Sequence, residues 1–122
     1  MASEYEFAFK GKKIFCLDLS GLQLSDKQEF RELVRSAKAK IQTHTPKSLL
    51  VITNITNTGF DTEAAAIIGD YAISNSPYVK ASTVVGAAGM QKVIINSIKV
   101  ITGREFFLAD SMEEAQEWLV NQ

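Results

Sequence analysis

Residue types capable of chemistry are few in this chain and far apart. It carries one cysteine, Cys16, and one histidine, His44, so a Cys-His nucleophile would need both to be brought together by the fold. Cys16 sits within an apolar run that reads as a buried strand. His44 falls between Thr43 and Thr45 near an expected helix end, where a cation is favourable and no neighbour completes a relay. The remaining ligand-type residues are carboxylates scattered along helix faces, giving neither zinc-ligand spacing nor a calcium loop, so no metal and no cofactor are expected. The adjacent Glu113 and Glu114 follow Ser111, and that spacing belongs to a helix cap rather than to acid/base catalysis. No catalytic residue is assigned on this basis, and the chain is expected not to be an enzyme.

Two loops are better placed for recognition. Gly86-Ala87-Ala88-Gly89 joins an expected strand to an expected helix, with Lys92 one turn further on. Glycines there let backbone N–H groups approach an anion. The spacing is neither the dinucleotide fingerprint nor a P-loop, so a plain strand-to-helix turn is the competing reading. The second loop, Thr56-Asn57-Thr58-Gly59, also follows a strand and precedes a helix. Both loops therefore belong at the same end of a parallel sheet, the edge where open α/β folds bind ligands.

The positioning elements follow from periodicity. Tyr5, Phe7 and Phe9 alternate with polar residues, Gly11 turns the chain, and residues 14–19 resume as a strand. Ser25 with Gln28 offers a helix start, with Phe30, Leu33, Val34, Ala37 and Ile41 on one face. Residues 48–53 form a continuous apolar strand after Pro46, expected to be covered on both faces. Asp61 caps a helix to about Ser74, Pro77 ends it, and residues 78–85 form a strand. A helix over residues 90–102 ends at Gly103, residues 105–108 form a strand, and Ser111 with Glu114 starts the last helix. The order is β-β-α-β-α-β-α-β-α: an α/β fold with about five strands in a mixed, largely parallel sheet and about four helices.

At 122 residues, with 46% hydrophobic and 22% charged, the chain is expected to form a single globular domain over residues 1–122. A net charge of −1 supplies no field for nucleic acid, which is not an expected partner. No apolar stretch is long enough to span a membrane. The first ten residues carry Glu4 and Glu6 and lack the pattern of a signal peptide. With one cysteine no internal disulfide can form, and a cytoplasmic location is expected.

In the helix over residues 90–102, Met90, Val93, Ile94, Ile98 and Ile101 share a face, while Ile95 points away from it. Ile95 is therefore read as a contact for another chain, including a homodimer partner, or as a lid over a pocket. An isolated surface apolar residue is the alternative.

The stretches Tyr78-Val79-Lys80-Ala81-Ser82, Val84-Val85-Gly86, Gly103-Arg104 and Glu113-Glu114-Ala115-Gln116-Glu117-Trp118-Leu119, set in this element order, resemble the SpoIIAA-like STAS family. That is the domain of anti-anti-sigma factors and sulfate-transporter tails. The resemblance covers nearly the whole chain in element order, and the wording most similar is the strand before Gly86 and the ending Glu-Glu-Ala-x-x-Trp-Leu. In the phosphoswitch branch an Asp-Ser-x-Gly motif carries the phosphorylated serine. With Gly59 aligned to the motif glycine, Thr56 stands for the Asp and Asn57 for the serine; Thr56 or Thr58 could then accept a phosphate at the helix start, and Thr58 is taken as the acceptor to test.

The resemblance implies a stand-alone, STAS-like regulatory module that engages a protein partner through Thr56, Asn57, Thr58, Gly59, Gly86, Gly89, Lys92 and Ile95. The alternative is a carrier or sensor of a small apolar or anionic ligand held between helices and sheet, with Gly86, Gly89 and Lys92 meeting its head. A third class, an enzyme, would need groups distant in sequence, such as Asp18, Tyr71 and Arg104, to meet in space.

Overall fold

The computed structural model describes residues 2–122; Met1 lies outside the described residues. Strands β1 (Ser3–Phe9) and β2 (Lys12–Asp18) form the opening hairpin. Its tip, Lys10-Gly11, has φ of +50° and +79°, the paired left-handed geometry of a tight turn whose twist matches the flanking strands. A short 3-10 turn, Leu24–Asp26, leads into α1 (Lys27–Ile41), followed by β3 (Leu49–Asn54), α2 (Thr62–Asn75), β4 (Val79–Val85), α3 (Met90–Thr102), β5 (Phe106–Ala109) and α4 (Met112–Val120).

The sheet runs in sequence order, β1-β2-β3-β4-β5, with β1 antiparallel to β2 and all other pairs parallel. The expected architecture holds. Strand alternation sorts the core onto two faces. Phe15, Leu17 and Val51 point toward α1, α2 and α3, while Ile14, Cys16 and Ile52 point toward α4 alone. The central strand β3 is thus covered on both sides, as its continuous apolar run requires. The edge strand β1 is less covered: Phe7 and Phe9 are half-buried and Tyr5 is exposed.

The pairing of β3 with β4 contains one irregularity. Leu49 pairs with Val79, but Leu50 pairs with Ala81, so Lys80 is an extra residue in β4. This bulge resets the alternation and turns Ser82, along with Val79 and Val84, toward the α2–α3 side.

The helix caps follow the sequence in most places. The Asp61 carboxylate accepts the Ala64 N–H at 2.8 Å, the Ser111 hydroxyl accepts the Glu114 N–H at 3.1 Å, and Gly103 ends α3 at φ +69°. The start of α1 differs. The Asp26 carboxylate accepts the Gln23 N–H at 2.8 Å, while the Gln28 amide donates to Glu32 and forms no capping box with Ser25. The chain leaving β2 must first close against the loop after β3, and the 3-10 turn makes that approach before the α-helix begins.

Candidate functional site

The two recognition loops meet at the C-terminal ends of the parallel strands. A Cβ placed on Gly86 would lie 2.1 Å from Thr56 Oγ1, so the loops touch and only glycine fits between them. Gly86 also has φ +81°, a left-handed conformation that disfavours any side chain. Its N–H donates to Ala109 O at 3.2 Å, and Ile55 N–H donates to Val85 O at 2.9 Å, tying the loops to adjacent strands. Gln91 bridges them directly: its Nε2 donates to Thr58 O at 2.9 Å and its Oε1 accepts Ala88 N–H at 3.1 Å. Nothing in the local pattern singled out Gln91, because its partners lie on a different loop.

Each hydroxyl of the Thr56–Gly59 loop has a structural partner. Thr56 Oγ1 donates to Asn54 Oδ1 at 2.7 Å. Thr58, expected as a phosphoacceptor, is buried, and its hydroxyl donates to Leu19 O at 2.8 Å. The hydroxyl is therefore not the open acceptor expected but an internal tie between β2's exit and the loop. Asn57 is the exposed tip, at φ +53°, a conformation asparagine tolerates better than most residues. Gly59 packs against the Gln23 and Leu24 backbone, where a Cβ would lie 3.0 Å from Leu24 N.

Between the loops lies an open groove bordered by Thr56, Asn57, Gly86, Ala88, Met90 and Gln91. Gly89 and Lys92 are not among its walls. Two of the four N–H donors of the anion cradle read from Gly86 to Gly89 are in use, since Gly86 N–H binds Ala109 O and Ala88 N–H binds Gln91.

The α3 helix is turned differently from expectation. Ile95, read as pointing outward, is 5% exposed and packs inward with Ile98, whereas Met90, Val93, Val100 and Ile101 are 71%, 55%, 84% and 70% exposed. Apolar residues occupy most of this helix's circumference, so periodicity does not say which arc faces the core. The sheet decides it. The outward stripe begins at Met90, which also walls the groove, so groove and stripe form one surface.

The remaining reactive types lie elsewhere. Cys16 is fully buried in the sheet, and burial pushes its thiol up to about 11, which holds it protonated and unreactive near neutral pH. His44 contacts Lys40 O at 3.1 Å and pairs with Glu6 at 2.8 Å beyond the end of α1. Asp18 accepts hydrogen bonds from Ser20 and does not meet Tyr71 or Arg104. Those two do converge, on a pocket between α2, α3 and the sheet. Among the described residues no cluster of three or more potential metal-ligating side chains occurs, and no helix is long and apolar enough to cross a membrane.

A five-stranded mixed sheet with three helices on one face and one on the other, carrying its loops at the strands' C-terminal ends, defines the class as an open α/β fold. The sequence matches no family model and no curated protein. Among solved structures it is similar to an uncharacterized protein of the DUF3478 family with a SpoIIAA-like fold, from Shewanella loihica PV-4, at 19% identity. The superposition covers 98% of this chain and 95% of that one with a TM-score of 0.66. The chain has the SpoIIAA-like fold.

Proposed function

We propose that this domain is a non-enzymatic, STAS-like regulatory module that engages a protein partner through its rim loops and the outer face of α3. The observation that supports this reading is the continuity of the groove at Thr56, Gly86 and Gln91 with the exposed stripe Met90, Val93, Val100 and Ile101. A run of large apolar side chains beside a polar rim has the composition of a protein contact surface. The groove's threonine hydroxyls and the Gln91 amide are engaged in internal hydrogen bonds, which suits a rigid surface better than a reaction centre. A second copy of this chain is one partner the surface fits, since an apolar stripe can pack against itself across a two-fold axis.

The test is a photo-crosslinking amino acid placed at Val100, at Asn57, and at Lys13 as a control far from the stripe. Expressed in the native host, the first two positions should trap one discrete protein species that the control does not. An adduct with the chain itself identifies a homodimer. Equal labelling from all three positions, or none from Val100 and Asn57, removes the reading.

A further inference from the structure

The pocket between α2, α3 and strands β3 to β5 holds polar groups that the fold leaves without partners. Asn75 is 2% exposed, and neither its amide oxygen nor its amide nitrogen has a hydrogen-bond partner. The Tyr71 hydroxyl is also buried and makes no hydrogen bond of normal length, although the Thr53 hydroxyl lies beside it. Leaving such groups unsatisfied is costly and uncommon in folded proteins, and two of them border one small space.

Beside them lies a cation without a counter-ion. Arg104 enters from the start of β5, donates to Ala72 O at 2.9 Å and to Ser82 Oγ, and lies over the Phe106 ring at 4.9 Å. Every one of these partners is neutral, and among the described residues no carboxylate pairs with it. Burial pulls its guanidinium below the usual range, the sign of a charge stripped of water and not repaid by an acid. Ser82 reaches this position only because of the bulge at Lys80.

The Arg104 guanidinium, the Asn75 amide nitrogen and the Tyr71 hydroxyl can all donate, so together they complement a ligand group that accepts, while the Asn75 amide oxygen is left for a bound water. An ionised carboxylate does this with two oxygens, and bidentate geometry suits arginine. The other walls of the pocket, including Ile68, Val84 and Ile98, are apolar. The free cavity is about 40 Å³, room for roughly three waters. We propose that this pocket is a binding site for a short-chain monocarboxylate, with its carboxylate on Arg104 and Asn75 and its alkyl end against Ile68 and Ile98.

Propionate, 1-propanol and sodium chloride titrated into the ¹⁵N-labelled protein at neutral pH provide the test. Propionate should give saturable shifts at the amides of Ala72, Ser82 and Arg104, while matched 1-propanol and sodium chloride should not. Arg104→Gln should weaken propionate binding by about tenfold or more, the loss expected for a charge-assisted pair. Asn75→Leu, which keeps the branching and the number of heavy atoms and removes the amide, should also weaken it while leaving the spectrum that of a folded protein. The proposal is overturned if the alcohol reproduces the shifts, if propionate leaves the pocket amides unmoved, or if Asn75→Leu binds as well as the parent. Unmoved pocket amides would mean that the cavity holds only water, and the other two outcomes that it does not select a carboxylate.

Discussion

Beneath α4, Ile14, Cys16, Ile52, Ala115 and Leu119 have no exposed surface, and Phe107 stacks on Trp118 with ring centroids 5.0 Å apart. Across the sheet, between α2 and α3, the same strands border a cavity, two unpartnered polar side chains and a lone guanidinium. Only Ile95 and Ile98 of α3 are fully inside. One face is packed for stability, and the other retains features that packing alone would remove. The two proposed recognition surfaces lie on the α2–α3 side and at the rim where α3 begins, while the close packing under α4 holds the sheet together.

Substitutions on the two sides sharpen this contrast. Leu119→Ala should cost about 2–5 kcal/mol in urea unfolding, because a filled core cannot collapse around the missing atoms. A loss below about 1 kcal/mol would mean the α4 face is not the tighter one. Gly86→Ala should follow, at about 1–3 kcal/mol, since it forces a side chain into a left-handed backbone and against Thr56. Gly89→Ala, with open space around its position, should cost less, and equal losses at both glycines would show that contact between the loops is unimportant.

Asn75→Leu should move stability the other way, raising it by about 1–2 kcal/mol in thermal unfolding, because an unpaired buried amide is exchanged for carbon. A destabilised variant would indicate that ordered water already satisfies Asn75. The smallest effect belongs to Val100→Glu. At 84% exposure it should change stability by no more than about 0.5 kcal/mol, measured alongside the parent. A larger loss would place Val100 in a packed contact and change which arc of α3 counts as the outer one.

Much of this architecture is legible in the chain. Asp61, Ser111 and Gly103 mark helix boundaries because capping depends on residues three or four positions away. The uniform run at residues 49–52 indicates a strand covered on both faces for a similarly local reason. The meeting of the Thr56 and Gly86 loops is also expected, since parallel strands put all their exits at one end. The roles within that site are less legible. Thr58 reads as an open hydroxyl and is an internal tie to Leu19; Ile95 reads as the outward residue and is a core one.

The order of strands and helices, the caps at Asp61, Gly103 and Ser111, and the shared rim follow from the sequence alone, because each depends on patterns spanning a few residues or on the fixed handedness of crossovers. Which arc of α3 turns inward, which threonine is hidden, and the convergence of Tyr71, Asn75, Ser82 and Arg104 were settled only by the tertiary structure. Those outcomes depend on contacts between segments far apart in the chain, and on a single-residue bulge that no local pattern announces.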